Sequence, residues 1–151
     1  MKSIFDPSTL QDLRTRLAAM TPHSRRRWGR MSAQQAVCHL SDWFRGLLGD
    51  RPIPGKEPGP GIKLLRFMAF STPLPWPRGF PTAPMQDQEK GGTPPAEFTA
   101  DVAELDSLMV RFAETGGVGL LPHNRWGNLS PGMWGRYGYR HVNHHLRQFG
   151  L

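Results

Sequence analysis

"SAQQAVCHLSDWFRGLLG", residues 32–49, is the stretch whose reading decides the fold. Ser32 and, three residues on, Gln35 carry the signature of a capping box, in which each side chain bonds the other residue's backbone N–H. Met31 stands where a hydrophobic staple would. Ala36, Leu40, Trp43 and Leu47 then recur at three- and four-residue intervals, and Gly49 supplies a stop. The stretch reads as an amphipathic helix with both of its ends encoded.

The same period appears in three other places. From about Pro7 to Ala19, Asp6 is placed to cap a helix, Pro7 suits its first position, and Leu10, Leu13 and Leu17 share a face. After "TPPAEF", Phe98, Val102, Leu105, Met109 and Phe112 repeat until the glycines at 116 and 117. A last helix begins at Ser130 and Pro131 and carries three of the six histidines. No segment of comparable strength alternates with period two; "KLLRFMAF", 63–70, reads as readily as a short helix as a strand. The expected class is all-α, a four-helix bundle.

Residues 50–94, between the second and third predicted helices, hold 10 of the 15 prolines. A connection of this length is a lid, a crossover or disorder. Ile62, Leu64, Leu65, Phe67, Phe70, Trp76 and Phe80 argue against disorder, so the expectation is an ordered crossover packed over one end of the bundle. A bundle with such a crossover has parallel neighbours.

The 151 residues fit one domain, 1–151, large enough for a single core. No apolar run has the length of a membrane span, and "MKSIFDPSTL" has no secretory core. The single cysteine, Cys38, excludes an internal disulfide framework and reads as a small buried thiol. A soluble cytoplasmic protein without a membrane segment is expected. The net charge of +7, mostly arginine, favours anionic partners without choosing among them. The densest cluster, "HSRRRWGR" at 23–30, could meet phosphates and bases through Arg25, Arg26, Arg27 and Trp28. The stronger expectation is a solvated connector with Trp28 tucked into the core, the usual case for a short charge run.

In "RHVNHHLRQFGL", 140–151, His141 and His145 are four residues apart, which stacks them about 5–6 Å apart on a helix. At about 100° per residue both lie beside the apolar stripe of Val142, Leu146 and Phe149, whereas His144 turns outward. Such a pair can hold a metal ion or can be a polar helix margin. A third ligand is available in His39, which occupies the matching margin of the second helix. Trp43, Trp134 and Tyr137 could wall a pocket there. Asp42 could receive the other ring N–H of His39, or could be a surface acid. His123, in the loop before the last helix, could line an entrance. Asp42, His144 and His123 are the candidates for acid–base work.

The combination of "CHLSDWFR" on the second helix and "HVNHHLRQF" on the last resembles the DinB/YfiT-like metalloenzyme superfamily, in a branch of uncharacterised function. "HxxHHxRQ" after "LSPGMWGRYGYR" carries most of the likeness, and the element order extends it over nearly the whole chain. The resemblance implies an up-down-down-up four-helix bundle with a divalent metal held by His39, His141 and His145. It also implies a low-molecular-weight thiol as co-substrate, since characterised members act as thiol S-transferases or as a thiol-dependent isomerase, while others are stress proteins. Gly132, Gly135 and Gly138 depart from that pattern, each lowering helix propensity by about 1 kcal/mol relative to Ala.

Three neutral imidazoles leave open positions on an ion, the pattern of a catalytic site, and all-nitrogen ligation suits zinc or nickel. The expected chemistry is activation of a small thiol or of water, as in an S-transferase, an isomerase or a hydrolase, on a small-molecule substrate. A metal-binding stress or sensor protein without turnover is the alternative. A nucleic-acid-binding module ranks last, because charge alone is a weak warrant. A homodimer is compatible with each.

Overall fold

The computed structural model describes residues 1–51, 53–54, 59–72, 76–79, 81–123 and 125–151, apart from the side chains of Lys63 and Ser71. Phe80, counted above among the crossover's apolar residues, lies outside the described residues. Five α-helices appear among them: α1 (Pro7–Ala18), α2 (Ala33–Leu48), α3 (Ile62–Ser71), α4 (Phe98–Glu114) and α5 (Pro131–Gln148). A 3₁₀ turn covers Pro84–Gln86. No β-strand occurs among the described residues, only one bridge between His123 and Gly127. The all-α expectation agrees with this, but the helix count does not.

The four expected helices start where local chemistry places them. Asp6 accepts a bond from the Ser8 N–H at 3.0 Å and caps α1. In α2 both halves of the capping box are made, Ser32 N–H to Gln35 Oε1 at 2.9 Å and Gln35 N–H to Ser32 Oγ at 3.1 Å. Gly49 ends α2 in the left-handed region, φ 88°, which a side chain would resist. Glu97 caps α4 through the N–H groups of Thr99 and Ala100, a cap the sequence reading did not foresee. The added helix, α3, is "KLLRFMAF" itself. Leu, Met and Ala favour helix over strand, and Gly61 at φ 84° turns the chain into it.

The long helices pack in a closed ring, α2 against α4, α4 against α1, α1 against α5 and α5 against α2. Leu13, Phe44, Leu105, Met109, Phe112, Val142 and Leu146 fill the middle with almost no exposure. The crossover is ordered where it is described, but it does not simply cap one end. Its helix α3 lies along α5, and its 3₁₀ turn lies on α2. Phe70 closes α3 onto Tyr137, ring centroids 5.0 Å apart. Both contacts fall beside the histidine-bearing faces.

The weak-helix glycines of α5 have a packing reason. A Cβ on Gly138 would lie 2.8 Å from Ile4 Cγ2 and 3.0 Å from Phe112 Cε1, and one on Gly135 would run into Ser3 and Phe5. The missing side chains let the N-terminal segment lie directly on α5, where the Ile4 N–H bonds the Gly135 carbonyl at 3.0 Å. Gly138→Ala is therefore expected to destabilise. Overpacking costs about 1–3 kcal/mol and the propensity gain returns at most about 1. A lower urea midpoint than wild type with an unchanged slope is the measurable result.

Candidate metal centre

His39 projects from the middle of α2, and His141 and His145 from successive turns of α5. The fold brings the three together. Their rings form a triangle with centroid separations of 5.1 Å (His39–His141), 4.9 Å (His39–His145) and 5.2 Å (His141–His145). All three are buried, at 5%, 8% and 8% exposure, and one ligand atom from each lies within 4.8 Å of the others. His39 Nε2 and His141 Nε2 are 3.1 Å apart. Metal–nitrogen bonds of about 2.0–2.1 Å place two ligands of one ion roughly 3.0–3.4 Å apart, depending on the angle. That pair already has the spacing, and an ion held by all three would draw the more separated atoms inward.

Two of the rings are oriented from behind. His39 Nδ1–H donates to the Gln86 carbonyl at 2.9 Å, which puts its lone pair on Nε2. His145 Nδ1–H donates to Gln148 Oε1 at 3.0 Å, and Gln148 Nε2 in turn donates to the Trp28 carbonyl at 2.9 Å. Such partners set the tautomer a metal needs. His141 Nδ1 has no hydrogen-bond partner among the described residues. Without a metal, the geometry is satisfied by His141 Nε2–H donating to the bare His39 Nε2.

Burial is the main cause that lowers the pKa of all three histidines, with the neighbouring imidazoles adding to the effect at His141 and His145. They are held neutral, the form that ligates. The walls are aromatic: Trp43 meets the His141 ring edge-on at 4.9 Å, Tyr137 stacks on it at 5.8 Å, and Trp76 lies at 6.1 Å.

Several sequence expectations change here. Asp42 is neither a partner of His39 nor a surface acid. It is fully buried and bonded to Thr93 N–H (2.7 Å), Thr93 Oγ1 (2.6 Å), Gln88 Nε2 (3.1 Å) and Arg51 Nη1 (3.2 Å), so it anchors the crossover. His123 does not line an entrance. Its Nδ1 accepts the N–H groups of Arg125 and Trp126, and its Nε2 bonds the Tyr137 hydroxyl at 2.9 Å. That locked, buried ring, its pKa pushed down to about 3, is a poor general base at neutral pH. Trp134 packs on Tyr137 and His123 rather than on His141, because seven residues are about 10.5 Å along a helix. His144 is half-buried, not turned to open solvent: Trp28 and Trp76 cover it at 5.9 and 6.3 Å. Trp28 is accordingly not a core residue, whereas Arg25, Arg26 and Arg27 are exposed as a connector would have them. Cys38 is buried, with its pKa raised to about 12 mainly by desolvation, and takes no part in the cluster.

Gln86, Gln148 and Trp76 are the site residues that sequence reasoning missed. Gln148 was within reach, since it stands three residues after His145 and so on the same helix side. Gln86 acts through its carbonyl, which no side-chain pattern signals.

The buried histidines also predict an acid limit. In the unfolded chain they take up protons near 6.5, while in the fold burial keeps them neutral to lower pH, for His123 down to about 3. The unfolded state then binds more protons as pH falls. Their contribution to stability is whole above about 6.5 and drains below it, by about 1.4 kcal/mol per pH unit for each histidine that stays neutral. Urea midpoints of chelator-treated protein should drop steeply between pH 7.5 and 5.5. A flat profile would count against neutral, buried rings.

Among the described residues no helix is long and apolar enough to cross a membrane. Comparison with protein-family models, with curated proteins and with solved structures finds no match to this chain.

Proposed function

We propose that this chain is a divalent-metal-binding protein of DinB-like up-down-down-up architecture, with the ion held by His39, His141 and His145. The observation that carries the reading is the convergence of three neutral, buried imidazoles from two helices, two of them already oriented by Gln86 and Gln148. The closed ring of four long helices, with one histidine on α2 and the pair on α5, supports the architecture.

A zinc or nickel ion suits an all-nitrogen set, and when bound it would supply Lewis acidity that makes a small thiol or water nucleophilic at neutral pH. The chain's own residues do the rest. Gln86 and Gln148 hold the two ring N–H groups outward, and Trp43, Trp76 and Tyr137 keep bulk water from the imidazoles. The substrate class is an electrophilic small molecule and the compartment the cytoplasm. A homodimer belongs to the same reading, supported by the exposed apolar side chains Leu64, Leu65, Phe67 and Met68 on α3.

A second reading, metal binding without turnover in a stress or sensor protein, is favoured by the low exposure of all three rings. Metal analysis of tag-free protein tests what the two share: about one ion per chain is expected for a single site, and none would sink both. Incubation of the metal-loaded protein with small thiols and a chromogenic electrophile separates them. Thiol-dependent turnover supports the enzyme, and metal without turnover supports the alternative.

A further inference from the structure

Beside the three-histidine cluster, α5 and the irregular segments frame a groove of about 400 Å³. Its charged lining includes Lys2, Arg78, Arg140 and Arg147, and among the described residues no carboxylate lines it. Arg14, Arg16, Arg30, Arg45, Arg51 and Arg111 each meet an acid elsewhere on the molecule. Among the described residues, Lys2, Arg78 and Arg147 make no such pair. Positive charges gathered in a concave surface without acids create a potential that an anion relieves, and a guanidinium fork fits a carboxylate or phosphate in two-point fashion.

Four flat rings, Trp28, Trp76, Tyr139 and His144, also line it. The Trp28 and Trp76 rings both meet His144, at 5.9 and 6.3 Å, and the Arg78 guanidinium lies 4.3 Å over the Trp28 ring. The groove also abuts the cluster. Trp76 reaches the His141 ring at 6.1 Å, and His144 touches the His145 ring at 5.3 Å, so a ligand against these two side chains is one ring away from the imidazoles.

We propose that this groove binds a small anion with a flat aromatic body. Its carboxylate or phosphate is held by Arg78, Arg147 and Lys2, and its ring lies against Trp28 and Trp76. The groove is thus the substrate subsite of the three-histidine centre, a role that rests on the metal reading above, whereas the binding itself does not.

Titration of the full chain, with and without Zn²⁺, by naphthalene-1-carboxylate, 1-naphthyl phosphate and the neutral naphthalene-1-methanol tests this by calorimetry and tryptophan fluorescence. At least one of the two anions is expected to bind tenfold or more tighter than the alcohol, and the better of them identifies the acid group. Arg78→Gln/Arg147→Gln should weaken that anion at least tenfold. Arg25→Gln/Arg26→Gln, with the same loss of charge on the exposed connector, should not. Equal binding of anion and alcohol, equal loss in both double variants, or no binding of any probe would overturn the proposal. With Mn²⁺ in place of Zn²⁺, the bound anion's proton resonances should broaden. Anion binding to a protein that holds no metal would leave the groove standing and remove its link to the centre, so failure of the metal reading is told apart from failure of the groove.

Discussion

His141→Ala is expected to lower bound metal from about one ion per chain to background, the largest effect of any substitution at the cluster. His141 is one corner of the triangle of rings, with its Nε2 3.1 Å from that of His39 and its centroid 5.2 Å from that of His145. Its loss leaves two ligands on different helices and a hole where the ion would sit. The effect should exceed the roughly 10–100-fold drop in affinity that follows loss of an outer partner. Gln148→Ala, which takes the acceptor from His145 Nδ1, supplies that milder case. His144→Ala removes an imidazole outside the set and should retain metal. Elemental analysis with circular dichroism, to show that each variant folds, checks the series. Metal content unchanged in His141→Ala would end the three-histidine assignment.

Asp42→Ala is expected to cost about 3–5 kcal/mol, the penalty for taking a buried carboxylate away from its bonded partners. The side chain has no exposed surface, and its removal strands the Thr93 N–H and the Thr93 hydroxyl and takes the carboxylate from Arg51, which keeps Thr93 Oγ1 and the Gly91 carbonyl. Against a total of about 5–15 kcal/mol for a domain this is a large fraction. The same carboxylate fastens the segment that carries Gln86, whose carbonyl orients His39. Asp42→Ala should therefore also weaken metal binding by about 10–100-fold, although it touches no ligand. Asp42→Asn keeps one acceptor oxygen and should lose less stability. Urea unfolding measures the first effect and metal titration the second. A variant within about 0.5 kcal/mol of wild type would show that Asp42 is not the anchor.

The helices were legible because their signals are local. A capping box, a proline at the first position and apolar side chains at three- and four-residue spacing need nothing from the rest of the chain. The same period placed His39, His141 and His145 on matching helix margins, and those margins do meet. Where expectation and structure part, the deciding contact is long-range. Asp42, three residues after His39, looked like its partner, yet the Thr93 N–H and Arg51 lay closer to its carboxylate. Trp134 shared an angular position with His141 but stood two turns away along the axis. His144 faced outward from α5, but Trp28 and Trp76 cover that face.

By itself, then, the amino-acid sequence determined an all-α chain, the extent of its long helices and the three histidines that line two of them. The structure resolved residues 63–70, open in the sequence between helix and strand, as a fifth helix laid along α5. It also decided that a backbone carbonyl at Gln86 holds His39, and that cations and indoles from separate segments form one groove beside the cluster. Periodicity records which face of a helix is buried; it does not record what buries it. The pieces that cover this site come from irregular segments, whose positions follow from hydrogen bonds and ring contacts between residues far apart in the chain.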